Sequence, residues 1–278
     1  MQPPTDLRLA VLIDADNVPY KSIKGIIEEI ALYGTPTFKR IYGDWTKPNL
    51  AGWKSPLLEN AITPIQQYGY TTGKNSTDSA MIIDAMDILY SGKVDGFCLV
   101  SSDSDFTRLA IRLREAGMKV LGIGERKTPN SLIVACDKFT YIEVINSLSL
   151  QANIEAVESV ELVKAVGSAE SAGSARSVAG KTNVKSHKND TPATVKISRN
   201  IIDLISISVT DLADENGWAF LGDVGNLIIK KQPDFDPRNF GYPKLTPLIK
   251  SLDNFEIDMR DTGQLNIKHI YIKIKEKS

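Results

Sequence analysis

The sequence predicts a mainly parallel, three-layer α/β domain, then a linker, then a smaller domain of the winged helix-turn-helix type. Three observations support this order. Short apolar runs alternate with segments of helical periodicity over residues 1–150, as in βαβ units. Residues 151–193 consist largely of small, polar and charged residues, which is typical of a flexible linker. Residues 194–278 return to helical periodicity and end in two alternating segments.

The first domain is organised around Leu9–Ile13, an uninterrupted apolar run that indicates a strand buried on both faces. Further strands are predicted at Thr37–Tyr42, Ile62–Tyr68, Phe97–Val100, Lys119–Ile123 and Phe139–Ile142. Helices are predicted between them, from Val18 to just before Gly34 and over 53–60, 80–90, 106–116 and 131–135.

The last domain has three helical segments followed by a predicted hairpin. The helices cover Ile197–Leu212, Gly222–Ile229 and Lys244–Leu252. Residues 255–258 and 267–274 alternate with period two around a turn at Thr262 and Gly263, which predicts the hairpin. Three helices followed by a hairpin is the order of a winged helix-turn-helix.

The composition of the chain argues against several classes of protein. The chain has 33 basic and 34 acidic residues, so any nucleic-acid binding must depend on a local patch. Cys98 and Cys136 provide neither a disulfide framework nor a zinc cluster, which favours a reducing compartment. The sequence starts with no basic and apolar leader, and no apolar run approaches the ~18 residues of a membrane span. A cytoplasmic protein without membrane segments is therefore expected.

Acidic residues recur where predicted strands end. Asp14 and Asp16 follow the first strand, and Asp103 and Asp105 follow the fourth. Asp78 opens the helix that precedes the fourth strand. If the first and fourth strands are neighbours, these side chains meet at the carboxyl edge of the sheet, where open α/β sheets bind ligands. Taken singly, Asp78 and Asp103 are also suited to capping helices.

Clustered carboxylates repel one another and raise one another's pKa values. Mg²⁺ or Mn²⁺ removes that penalty, because these ions prefer carboxylate oxygens together with water and phosphate. Such a site can cleave phosphodiesters. The two histidines, His187 and His269, lie in the linker and the last strand, so a His-based mechanism is not expected.

The first domain resembles the NYN family, the LabA-like branch of the PIN-domain nucleases. The matching motifs are Leu12–Asn17, Lys74–Asp78 with Asp84, Val100–Phe106, and Gly122–Phe139. Many relatives carry Gly where Ser102 stands here.

This resemblance implies a PIN-like sheet and a Mg²⁺- or Mn²⁺-dependent ribonuclease, with endonucleolytic cleavage as the expected mode. The implied metal ligands are Asp14, Asp78, Asp103 and Asp105, which are also the expected catalytic residues, together with Asn17, which would hold a ligand or water. Lys74 is the candidate for a phosphate contact near the scissile bond.

The last domain resembles the LOTUS domain, also called OST-HTH, through Asp214–Trp218, Leu221–Gly225 and Pro233–Tyr242. This implies a module that binds RNA, including structured RNA, or a protein partner. Five residues are the candidate nucleic-acid contacts: Lys230, Lys231, Arg238, Tyr242 and Lys244. The competing interpretation places Phe235, Phe240 and Tyr242 in the core of this small domain.

Two other functions fit the same residues. One is a non-catalytic RNA-binding regulator that keeps the acidic site. The other is a phosphatase of the haloacid-dehalogenase type, with Asp14 as nucleophile and Ser101 or Ser102 as phosphate ligand; residues 122–126 match that class poorly. Whether the chain forms a homodimer is open.

Overall fold

The structure is a computed structural model that describes residues 6–68, 76–147, 197–261 and 268–275. The predicted linker 151–193, Lys74 and the predicted turn at Thr262 and Gly263 lie outside these residues. The predicted domain boundaries at 150 and 194 also fall there and stay predictions.

The first domain contains a six-stranded parallel sheet with the order β3-β2-β1-β4-β5-β6. Its strands are β1 (Leu7–Asp14), β2 (Gly34–Gly43), β3 (Thr63–Gln66), β4 (Gly96–Val100), β5 (Lys119–Gly124) and β6 (Lys138–Tyr141). The first and fourth strands are neighbours, with Ile13 opposite Val100. The ends of these two strands therefore meet at one point of the carboxyl edge. Pro64 lies on β3, an edge strand, where a residue without an N–H is tolerated.

Helices cover both faces of this sheet, which confirms the three-layer prediction. They are α1 (Ile23–Ala31), α2 (Lys54–Glu59), α3 (Ser76–Tyr90), α4 (Thr107–Glu115), α5 (Asn130–Ala135) and α6 (142–147). Alternate residues of β1 enter different cores: Leu9, Val11 and Ile13 pack on one face, while Ala10 and Leu12 pack on the other. All five are fully buried.

Helix α1 begins five residues later than the sequence predicts. The prediction started the helix at Val18, but Pro19 has an extended backbone with ψ 125° and precedes a short 3-10 turn over Tyr20–Ser22. The helix starts at Ile23. The segment that follows Asp14 is therefore a loop beside the carboxyl edge.

The last domain contains α7 (Arg199–Leu212), α8 (Leu221–Lys231) and α9 (Leu245–Lys250). Its sheet has three strands rather than the predicted two, because β7 (Ala219–Phe220) joins β8 (Phe255–Asp261) and β9 (Lys268–Ile274) in the order β7-β9-β8. All pairings are antiparallel. Three helices and a small sheet around one apolar core confirm the winged-helix prediction. Within the described ranges, no helix has the length and apolar character needed to cross a membrane.

Candidate metal centre and domain contact

Three of the predicted carboxylates meet at the carboxyl edge. Asp78, Asp103 and Asp105 each place one carboxylate oxygen within 4.8 Å of the others. Asp78 is in the first turn of α3, and the other two follow β4. Elements far apart in the chain therefore bring these three acids into one group, as the positions of the strand ends predicted.

The loop after β4 is held by the acids themselves. Asp103 precedes a 3-10 turn over Ser104–Phe106, and its Oδ1 accepts a hydrogen bond from the Asp105 backbone N–H at 3.0 Å. The Asp103 N–H donates to Ser101 Oγ at 3.1 Å. Asp103 thus fills both roles considered from sequence, because it caps the turn and belongs to the acidic group.

Asp14 lies outside the group of three and is only 1% exposed. Its carboxylate accepts hydrogen bonds from Ser101 Oγ at 2.9 Å, Asn17 Nδ2 at 2.6 Å and the Asp16 backbone N–H at 3.1 Å. Burial raises its pKa, and these three hydrogen bonds oppose that rise. The structure therefore gives Asn17 a direct contact with Asp14.

Ser101 is the functional candidate that the ribonuclease prediction did not include. Its hydroxyl donates to Asp14 and accepts from the Asp103 N–H, so it links the ends of β1 and β4. The side chain is 1% exposed. A Ser directly after a buried strand and two residues before an Asp was the available sequence signal.

Burial and neighbouring carboxylates raise the pKa of Asp78 to about 6. Burial has the largest effect, and the charges of Asp14, Asp103, Asp105 and Asp16 follow in that order. All four charges are negative, so ionising Asp78 is costly. A divalent cation would offset this repulsion, and hard oxygen ligands are the donors that Mg²⁺ and Mn²⁺ prefer. The donor set therefore fits such an ion.

The residues predicted to bind nucleic acid differ in their exposure and in their contacts. Lys230 and Lys244 are exposed, whereas Lys231 pairs with Asp211 at 2.6 Å. Tyr242 is half-buried against the core of the last domain, and Phe235 is buried within it.

Arg238 occupies an environment that the sequence did not predict. Its guanidinium donates two hydrogen bonds to Glu29 of α1, at 2.7 and 2.8 Å, and three more bonds to Asp236. The side chains of Arg238 and Glu29 are 15% and 5% exposed. The structure thus places this guanidinium in a buried contact between the two domains.

Further bonds join the last domain to the edge strand β6. The Phe139 N–H donates to the Pro233 carbonyl at 2.8 Å, and the Tyr141 hydroxyl donates to Asp234 at 2.8 Å. Lys138 lies 3.8 Å from the Asp236 carboxylate. We call the residues Glu29, Lys138–Tyr141 and Pro233–Arg238 the domain contact. It covers part of a strand edge that would otherwise be open to pairing.

The fold and the site define a two-domain protein that joins a parallel α/β domain with an acidic carboxyl edge to a winged-helix domain. The NYN domain model matches residues 8–143, and the OST-HTH/LOTUS domain model matches residues 195–267. The chain therefore contains an NYN domain, with its PIN-like fold, followed by a LOTUS domain. This combination indicates a nuclease or RNA-binding role.

Three solved structures resemble parts of this chain. A protein of unknown function from Vibrio parahaemolyticus is 23% identical over 51% of this chain and 96% of its own, with a TM-score of 0.43. An uncharacterized Nitrosomonas europaea protein is 29% identical over 36% and 95%, with a TM-score of 0.29. A Chromobacterium violaceum protein is 28% identical over 31% and 90%, with a TM-score of 0.25. No curated protein matches the chain.

Proposed function

We propose that this chain is a ribonuclease that depends on Mg²⁺ or Mn²⁺ and cleaves RNA endonucleolytically. The observation that carries the proposal is the meeting of Asp78, Asp103 and Asp105 within 4.8 Å at the carboxyl edge of an NYN domain. These three side chains would hold the ion, with Asp14 behind them. A bound ion of this kind activates water and stabilises the leaving oxygen of a phosphodiester.

The protein's own part is to keep the acidic group in position. Asp14 holds Ser101, Ser101 accepts from the Asp103 N–H, and Asp103 accepts from the Asp105 N–H. This chain of bonds runs from the end of β1 to the loop after β4. It orients Asp103 through groups that are mostly buried, so the loop needs little reorganisation when RNA arrives.

The phosphatase alternative is disfavoured by the same bonds. A nucleophilic Asp14 would need a free oxygen facing substrate, but its carboxylate is 1% exposed and accepts three hydrogen bonds. The Ser101 hydroxyl is likewise engaged at both its donor and its acceptor side. Neither group is available for the role that this mechanism assigns to it.

Cleavage of a labelled RNA, with Mn²⁺ and with EDTA, tests the proposal. Asp78→Asn and Asp103→Asn should each lower the rate by about 100-fold or more, because each removes charge that the ion needs. Asp87→Asn is the matched control, since Asp87 is on the exposed face of the same helix as Asp78. A circular RNA, which has no ends, tests the endonucleolytic mode.

Metal-dependent cleavage that survives both substitutions would overturn the proposal. Binding of RNA by the native chain without any cleavage in Mg²⁺ or Mn²⁺ would favour the non-catalytic regulator instead.

A further inference from the structure

A cavity of about 530 Å³ lies beside the domain contact. The LOTUS domain supplies most of its wall, from β7, one side of α8, the start of α9 and β9, while Lys138 of β6 closes it from the NYN side. Lys138 is held there because the neighbouring Phe139 N–H is bonded to the Pro233 carbonyl. We call this cavity the boundary pocket.

The floor of the boundary pocket is apolar and aromatic. Phe220 and His269 lie 5.0 Å apart between ring centroids, with an angle of 45° between the rings, and Leu221 and Ile229 continue the wall. A Cβ atom on Gly222 would come within 2.6 Å of the Phe220 ring, so this glycine leaves room for the ring. Aromatic faces of this kind stack on nucleobases regardless of sequence.

The charge of the boundary pocket is positive. Lys138, Lys244 and Lys268 line it, and none of its lining residues in the described part of the chain is acidic. The carboxylates nearest to Lys138 and Lys268, those of Asp236 and Asp261, lie 3.8 Å away. Lys268 is 61% exposed and Lys244 is also exposed, so their ammonium groups can turn towards an anion. The Lys138 side chain is 12% exposed and adds its positive charge to the wall from beside Asp236.

We propose that the boundary pocket binds one unstacked nucleotide of single-stranded RNA, with its base against Phe220 and His269 and its phosphates facing Lys138, Lys244 and Lys268. The volume falls within the range of small-ligand sites, and the pairing of aromatic faces with cations is the chemistry that single-stranded RNA recognition uses. The proposal deepens the proposed function and rests on RNA being the substrate of this chain. It makes capture a joint property of both domains.

The test is RNA binding by the full chain in EDTA, which stops metal-dependent cleavage, measured by fluorescence anisotropy with a labelled single-stranded 12-mer. Phe220→Leu should weaken binding about tenfold through lost stacking. Lys244→Gln should weaken it about threefold and reduce the salt dependence by about one ion. Lys250→Gln, at the other end of α9 and outside the pocket, should bind as the native chain does.

The part played by the NYN domain is tested with Lys138→Gln. Asp236 keeps its hydrogen bonds to Arg238 in this variant, so the domain contact should persist, and a thermal melt checks this. We expect about threefold weaker binding. Lys119→Gln is the control, since Lys119 starts the adjacent strand β5 outside the pocket. Native affinity in Lys138→Gln would overturn the contribution from the NYN domain.

Native affinity for the 12-mer in both Phe220→Leu and Lys244→Gln would overturn the proposal, as would a native chain that does not bind this RNA. A 12-base-pair hairpin probe should not respond to Phe220→Leu, because its bases are stacked; an equal loss for both probes would also contradict base stacking. Since these measurements contain no metal, they are independent of whether Asp103→Asn abolishes cleavage.

Discussion

The chain has buried or half-buried carboxylates in two regions, and their surroundings shift the carboxylate pKa in opposite directions. In the domain contact, burial alone would raise the pKa of Asp236, but hydrogen bonds from Arg238 and the charge of Lys138 outweigh it and lower that pKa. At the carboxyl edge, burial and four other carboxylates together raise the pKa of Asp78 to about 6. The first region contains its own cations. In the second region, burial and other acids raise the pKa, which is the environment expected of a site that takes its cation from solution.

The comparison separates structural acids from functional ones. A carboxylate that is paired in the folded state contributes to holding the fold, whereas one that is surrounded by like charges costs stability until a ligand binds. Three substitutions test this contrast. One removes a cation from the domain contact, and the other two change residues at the carboxyl edge.

The largest expected change in stability comes from Arg238→Met. This variant leaves the buried Glu29 without its guanidinium partner, which should lower the free energy of unfolding by about 3 kcal/mol. Urea denaturation followed by tryptophan fluorescence measures it. The control is Asp211→Asn, which removes the Lys231 pair with an acid that is 49% exposed and should cost less than about 0.5 kcal/mol. An equal effect in both variants would mean that the domain contact does not stabilise the chain.

A smaller change is expected from Ser101→Ala. It removes one of the three hydrogen bonds to Asp14 and leaves the Asp103 N–H without its acceptor, which should cost about 1–2 kcal/mol. Since Ser101 positions Asp103, cleavage should slow about tenfold.

Thr107→Val is the matched control for Ser101→Ala. The Thr107 hydroxyl oxygen is buried and has no hydrogen-bond partner among the described residues, so its removal should leave both stability and cleavage unchanged. If Ser101→Ala behaves like this control, Ser101 does not link the two strand ends.

The smallest change concerns the pH dependence of stability in EDTA. The pKa of Asp78 in the folded chain, about 6, is above its ordinary value of 3.8, so the folded state binds the proton more tightly than the unfolded state does. Stability from this group is therefore present below pH 4 and is lost as the pH rises through 6. Asp78→Asn should melt about 2 °C higher than the native chain at pH 7, and the gap should close by pH 4.

The effect is kept small because Asp78 is only partly buried, so that water and salt screen the repulsion. Differential scanning fluorimetry across this pH range, with Asp87→Asn alongside, measures it. A gap that is constant with pH, or one that opens towards low pH, would contradict the assignment.

Much of the first domain could be predicted because the residues that determine each strand lie next to one another in the sequence. Continuous apolar runs predicted β1 and β4, and shorter apolar stretches between the helical segments predicted the other four strands. Acids at two strand ends and at one helix start predicted the group at the carboxyl edge. The start of α1 was placed too early because Val18 and Pro19 resemble a helix start, whereas the extended backbone at Pro19 delays it. Strand β7 was missed because two residues carry no detectable periodicity.

The domain contact could not be predicted for a different reason. Glu29 and Arg238 are 209 residues apart, and nothing in either local pattern shows that they meet. From the sequence, Arg238 is therefore grouped with the lysines of the same domain as a candidate RNA contact. Likewise, the hydroxyl of Ser101 gains its role only when β1 and β4 pair, which is a property of the sheet order.

The most direct test of the central claim is a calorimetric Mn²⁺ titration of the native full chain, of Asp78→Asn and Asp103→Asn, and of the Asp87→Asn control. If Asp78, Asp103 and Asp105 share a cation, the native chain and the control bind Mn²⁺ alike, and the other two variants bind it at least about tenfold more weakly. Equal Mn²⁺ affinity in all four proteins would contradict the claim.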